Sequence, residues 1–182
     1  MSLLPAFNEN GYVILERLIS PELCELTVRT SHLGPLTSQK AKIEEQDSYI
    51  IYGSPHGDAL MEMVQGAVEP VLEPLYPTYS FFRTYKRGST LAMHTDRPAC
   101  EVSISIALSQ NNWGFDLVDF HGNHRTVYMN PGDAVMYQGM HVVHGRQQSL
   151  EDYTSSHIFL HYVRQNGPHR EFKYDQRERL GI

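Results

Sequence analysis

The chain has 182 residues, 41% hydrophobic and 20% charged, with 15 Lys and Arg against 21 Asp and Glu for a net charge of −6. That acidic balance argues against the basic face that nucleic-acid binding needs, and no stretch approaches the roughly 20 apolar residues of a membrane span. Two cysteines, Cys24 and Cys100, are too few for a disulfide framework and neither has a CxxC partner, so reduced thiols are expected.

The length predicts one domain over residues 1–182: a helical part to about residue 78, a core over about 79–163 and a charged tail over 164–182 that wraps the surface. The N-terminus lacks a basic n-region and a sustained apolar run, which predicts a cytoplasmic protein. Gly11-Tyr12-Val13-Ile14-Leu15 is expected as a short buried strand. Ser20-Pro21-Glu22-Leu23 then supplies a cap, a proline at the first helical position and an acidic first turn. That helix should run to about His32 and stop near Gly34-Pro35. Residues 36–56 are polar and mixed, with a strand at Ser48-Tyr49-Ile50-Ile51-Tyr52.

Leu60, Met63, Val64, Ala67, Val68, Val71, Leu72 and Leu75 follow i, i+3, i+4, i+7 spacing, which predicts a second helix capped by Asp58 and packed on a sheet. From Tyr79 the pattern changes to short strands, near 79–86, 90–94, 101–108, 114–120, 124–128, 133–137, 141–146 and 156–163. Arg87-Gly88, Asn111-Asn112, His121-Gly122-Asn123 and Asn130-Pro131-Gly132-Asp133 supply the turns. This predicts a mostly β, α+β chain, a double-sheet jelly roll buttressed by N-terminal helices.

In an extended strand residues i and i+2 project to the same side. His94 and Asp96 of His94-Thr95-Asp96 can therefore reach one metal while Thr95 points away. A later histidine behind the turn at Pro131-Gly132-Asp133 would complete the set. His141 and His144 both fall there and differ in strand parity, so only one should face inward. Two imidazoles and one carboxylate on one face of a metal leave the opposite face open, the facial triad of non-haem Fe(II) oxygenases. A lone His-x-Asp is common by chance; the later histidine is what weighs against reading these groups as ordinary hydrogen-bonded core residues.

Taken together, Arg83-x-Tyr85-x-x-Gly88, Leu91-x-x-His94-x-Asp96-Arg97, Cys100-Glu101-Val102-Ser103, Pro131-Gly132-Asp133-Ala134, Tyr137-x-Gly139-x-x-x-x-His144-x-Arg146 and Phe159-Leu160-His161-Tyr162-Val163 carry a resemblance. Over roughly Tyr79 to Val163 the chain resembles the prolyl-4-hydroxylase-like branch of the 2-oxoglutarate/Fe(II) dioxygenase superfamily. The resemblance implies a double-stranded β-helix and selects His144 over His141 as the distal ligand. It further implies Fe(II), 2-oxoglutarate and O2, with ascorbate in support, and oxidative decarboxylation to succinate coupled to hydroxylation of an unactivated C–H bond. Related halogenases replace the ligating carboxylate by Gly or Ala; this chain keeps Asp96, which favours hydroxylation.

One element of the family pattern is missing. An Arg or Lys usually follows the distal histidine to clamp the far carboxylate of 2-oxoglutarate, and here Glu151-Asp152-Tyr153-Thr154-Ser155-Ser156-His157 holds neither. A dicarboxylate in a low-dielectric pocket still needs a cation, ideally a bidentate guanidinium. Arg83, two residues from Tyr85, and Arg146, two beyond His144, both qualify by parity, with Tyr85 as a hydrogen-bond donor.

Arg97 and Glu101 either form a structural ion pair or reach the substrate at the mouth, and Trp113 stands as a substrate contact on the core or rim. His157 and His161 share parity on the last strand and read as satisfied core histidines, with a co-substrate contact the alternative for His157; His121 and His124 read as solvated. The near-bare core favours a small molecule, an amino acid or natural-product intermediate. The alternatives are a peptidyl-prolyl or protein hydroxylase, a nucleic-acid demethylase, and a cupin-like metal-binding protein without oxygenase activity.

Overall fold

The computed structural model describes residues 3–33, 41–43, 49–110 and 112–181, with backbone alone at 41–43. Helix α1 (Leu4–Asn10) opens at Pro5 and closes on Gly11, whose φ of 81° lets its N–H reach the Phe7 carbonyl. A side chain at Gly11 would also strike the Phe120 ring and Val142. Strand β1 (Tyr12–Leu15) and helix α2 (Pro21–Leu33) follow as the residue pattern predicts, except that β1 buries only Val13 and leaves Ile14 exposed, so it is not the buried strand expected. Strands β2 (Ala41–Ile43) and β3 (Tyr49–Tyr52) form a hairpin. Gly34, Pro35, Ser48 and Asn111, named above as parts of a helix stop, a strand and a turn, lie outside the described residues.

Helix α3 (Pro55–Val68) corrects two expectations. Its cap is Ser54, whose hydroxyl accepts from the Gly57 N–H at 3.0 Å, and not Asp58. Asp58 lies buried in the first turn and binds other groups (below). The helix ends at Val68, short of the apolar stripe, because Pro70 has no N–H to give and starts a 3₁₀ turn over Glu69–Val71. Leu75 belongs instead to strand β4 (Leu75–Lys86), which begins four residues before the expected Tyr79.

The remaining strands are β5 (Leu91–His94), β6 (Val102–Ala107), β7 (Phe115–Val118), β8 (His124–Val127), β9 (Ala134–Tyr137), β10 (His144–Arg146) and β11 (Thr154–Arg164). Strand β10 is shorter than expected, since the N–H groups of His141 and Val142 turn back onto the Gln138 carbonyl. Two antiparallel sheets result: β1-β9-β6-β11-β4-β3-β2 and β5-β10-β7-β8. Along β6 all six residues are buried. Val102, Ile104 and Ile106 pack with Leu60, Met61 and Val64 of α3, while Ala107 joins Phe115, Leu117 and Tyr137 between the sheets. Ser103 and Ser105 keep a polar alternation along β6 although both of its faces are covered.

The tail carries a 3₁₀ segment over Arg170–Gln176, kinked at Tyr174 and Asp175. No helix among the described residues is long and apolar enough to cross a membrane. Both cysteines are free and buried.

Candidate metal centre

Antiparallel pairing of β5 with β10 sets His94 directly opposite His144. Their rings lie 4.4 Å apart, centroid to centroid. Just beyond β5 the chain bends, and the Asp96 N–H bonds the Gly139 carbonyl at 2.8 Å, which turns the Asp96 carboxylate toward both rings. Its Oδ1 lies 3.6 Å from His94 Nε2 and 3.7 Å from His144 Nε2. One ligand atom from each of the three residues falls within 4.8 Å of the others, close enough to share one ion.

The surroundings prepare these atoms as ligands. His94 Nδ1 lies 2.9 Å from the Ala92 carbonyl and His144 Nδ1 2.9 Å from the Val142 carbonyl. A carbonyl only accepts, so each Nδ1 carries the proton and each Nε2 presents its lone pair to the centre. Asp96 Oδ2 accepts from the Ser103 hydroxyl at 3.1 Å, leaving Oδ1 for a metal. His161 Nδ1 stands 2.9 Å from the same hydroxyl and donates to it. This is the carbonyl- and hydroxyl-backed support that fixes ligand orientation in metal sites. Gly139 is required by close approach, since a Cβ there would overlap the Cys100 carbonyl and press on Asp96 Oδ2 and Ser103 Oγ.

Charge follows the same plan. Burial opposes ionisation of Asp96, but the adjacent His94, the other histidines and the Ser103 hydroxyl prevail and hold its carboxyl below the usual range. The bond to Asp96 raises His94, whereas burial lowers His144. Cys100 and His161 also lie within ligand distance of Asp96. Burial pushes the Cys100 thiol up to about 12, its sulfur meets the Tyr79 hydroxyl at 3.1 Å, and a protonated thiol is a poor ligand. His141 is exposed on its turn, away from the centre.

The triad opens into a cleft of about 160 Å³, lined also by Tyr79, Phe81, Arg83, Tyr85, Leu91, Tyr137, Phe159 and His161. Arg83 is the one arginine of that lining, with its guanidinium 4.4 Å above the Tyr85 ring. Arg146 does not line the cleft. It is wholly buried behind Tyr85, donates to the Trp113 carbonyl at 2.7 Å and to His157 Nδ1 at 3.2 Å, and stacks 4.7 Å from the Trp113 ring. Burial lowers its pKa to about 10, so it stays charged at neutral pH. Among the described residues no carboxylate bonds it directly, although Asp116 acts on it through space, and its Nε has no hydrogen-bond partner.

The three expected substrate contacts are placed otherwise. Arg97 and Glu101 do not pair with each other: Arg97 grips Asp175 at 2.9 and 2.8 Å, and Glu101 holds the backbone N–H and guanidinium of Arg164 at 2.9 and 2.8 Å. Trp113 is buried, with its indole N–H on the Gln148 carbonyl at 2.7 Å and its ring edge against Tyr85. None of the three lines the cleft. Conversely, Tyr79, Phe81, Tyr137, Phe159 and the bridging Ser103 carry no expected site role, and His161, expected as a satisfied core histidine, also lines the cleft. Parity held the signal: Tyr79 and Phe81 share the face of Arg83 and Tyr85 on β4, and register sets them opposite His161 and Phe159 of β11.

No family model matches the sequence, and no curated protein matches it. Solved structures do resemble the fold. An oxidoreductase of the 2OG-Fe(II) oxygenase family from Burkholderia pseudomallei aligns with a TM-score of 0.72 at 14% identity, over 91% of this chain and 90% of that one. A Pseudomonas putida prolyl-4-hydroxylase aligns with a TM-score of 0.68 at 14% identity, over 88% and 96%. HygX from Streptomyces hygroscopicus, solved with nickel and 2-oxoglutarate bound, gives 0.65 at 14% identity, over 89% and 86%. The chain has the double-stranded β-helix fold of these oxygenases.

Proposed function

We propose that this chain is a non-haem Fe(II) dioxygenase that couples oxidative decarboxylation of 2-oxoglutarate to hydroxylation of an unactivated C–H bond in a small molecule. The observation that carries the reading is the convergence of His94 Nε2, His144 Nε2 and Asp96 Oδ1, each held from behind by a dedicated partner. Two neutral imidazoles and a carboxylate, without thiolate, are the donor chemistry of a facial triad. Bound there, Fe(II) supplies the redox chemistry that joins O2 to decarboxylation and substrate oxidation.

The protein's part is to hold and exclude. Asp96 fills a ligand position, so a halide has no vacant place beside it. Arg83 offers the cleft-lining cation for the far carboxylate of 2-oxoglutarate, with Tyr85 beside it. Arg146 acts from behind the wall: a buried guanidinium that no carboxylate bonds directly makes the cleft floor electropositive and favours a dianion in front of it. Tyr79, Phe81, Tyr137 and Phe159 keep water from the reacting groups. A cleft this small has room for little beyond the co-substrate, so the oxidised molecule approaches the triad from the His94 side, where that ring is 41% exposed. The solved HygX structure with hygromycin B bound supports a small-molecule substrate on this fold.

The test is succinate release from 2-oxoglutarate under O2 with Fe(II) and ascorbate, screened across amino acids and natural-product intermediates. At least one candidate should raise succinate formation in step with its own hydroxylation. Absence of any Fe(II)-dependent succinate, with or without a candidate, would favour a metal-binding protein.

A further inference from the structure

The tail over Arg170–Gly181 makes two sets of contacts, one on Arg97 in the turn after the metal-bearing strand and one on Asp58 of α3 and the Thr78 carbonyl. Tyr174, Asp175 and Gln176 have φ of 57°, 52° and 62°, three successive left-handed non-glycine residues. Such a run persists only where its surroundings over-determine it. Here the Asp175 carboxylate accepts both guanidinium nitrogens of Arg97, at 2.9 and 2.8 Å, and the Tyr52 hydroxyl. Arg177 reaches Asp58 Oδ2 and the Thr78 carbonyl, each at 2.9 Å, and the Gly181 N–H meets the same Asp58 oxygen at 2.9 Å. The kink presents Asp175 to Arg97, and Arg177 anchors the kink to α3.

Arg97 is the residue after Asp96, and its guanidinium lies 4.8 Å above the Tyr79 ring. Tyr79 stacks between Tyr52, at 4.8 Å, and His161, at 4.5 Å. His161 in turn supports Ser103, which holds Asp96 Oδ2. Two routes therefore join Asp175 to Asp96. One is covalent, through Arg97; the other passes through Tyr79, His161 and Ser103.

We infer that Asp175 is a positioning residue for the metal centre: by gripping Arg97 and Tyr52, the C-terminal strap sets where Asp96 Oδ1 stands between the two imidazoles. The inference rests on the metal site proposed above. It gives Arg97 a role other than substrate contact and makes the strap part of the site at a distance from it.

The experiment titrates full-length protein with Co(II), following the ligand-field absorption of the bound ion, alongside thermal unfolding of the metal-free protein. Asp175→Asn removes the charge that grips Arg97 and should weaken Co(II) binding about 10–100-fold, the usual effect of losing an outer-shell partner, with an altered spectrum. Asp175→Glu, which can still reach both partners, should restore the wild-type spectrum and most of the affinity. Should Asp175→Asn fail to fold, Arg97→Lys, which loses the bidentate grip, should show the same weakening. Wild-type affinity and spectrum in Asp175→Asn or Arg97→Lys would overturn the positioning role while leaving the metal site intact. Failure of the wild-type protein to bind Co(II) would overturn the metal site and the inference with it.

Discussion

His94 and His144 carry the same ring in opposite settings. The Asp96 bond raises His94, half open to the cleft, whereas burial lowers His144. Metal and proton compete for Nε2, so acidification loses the metal first at His94. Divalent-ion affinity should therefore begin to fall above the ordinary imidazole range, at about tenfold per pH unit for one displaced proton. An onset well below that range would contradict the assignment of His94. His94→Ala, Asp96→Ala and His144→Ala should each abolish Fe(II) binding while His141→Ala leaves it intact, as equilibrium titration would show. At the opposite wall, Arg83→Met removes a charge-assisted contact of about 1.5–3 kcal/mol, which raises the KM for 2-oxoglutarate roughly 10–100-fold. An unchanged KM would contradict Arg83 as the clamp. Two-residue spacing put His94 and Asp96 on one face, whereas the choice of His144 over His141 came from the family resemblance. Arg97 and Glu101 were not legible, because their partners, Asp175 and Arg164, lie 78 and 63 positions away.

At the scale of elements, strand parity did most of the work and turns did the rest. Strand β4 puts Tyr79, Phe81, Arg83 and Tyr85 on one face, and its register with β11 adds Phe159 and His161. Nothing in local sequence reports that register, so half the cleft stayed unassigned. Helix α1 went unseen because seven residues hold no apolar stripe; only Pro5 near its start and Gly11 at its end marked it. In α3 the periodic stripe ran past Pro70, and the missing N–H outweighed the pattern. The turn between β9 and β10 earns a direct test. Gly139→Ala places a methyl group against Asp96 Oδ2 and the Cys100 carbonyl. Metal affinity should drop by at least about tenfold, the scale of a lost outer-shell contact. Wild-type affinity in that variant would show that the loop can yield.

For the whole molecule, the barrel buries two neutral histidines that the unfolded chain would charge in mild acid. Burial lowers His161 from 6.5 to about 4 and also holds His157 well below the ordinary imidazole range, with Arg146 adding to the effect there. A depressed histidine pKa means the unfolded state binds more protons between the two values. Stability should thus be full above about pH 6.5 and decline toward pH 4, by about 1.4 kcal/mol per pH unit for each histidine. Urea unfolding across that window measures the slope, and His157→Gln should flatten it; a flat wild-type profile would contradict burial of the neutral forms. The jelly roll and its triad were readable from strand spacing and motif, whereas the strap, which joins Gly181 to Asp58 of α3 across 123 positions, is a property of the assembled fold alone. The measurement that bears most directly on the central claim is anaerobic calorimetric titration of 2-oxoglutarate into the protein with and without Fe(II). One site per chain is expected, which needs Fe(II), weakens in Arg83→Met and vanishes in Asp96→Ala. Equal binding to the metal-free protein and to Asp96→Ala would contradict it.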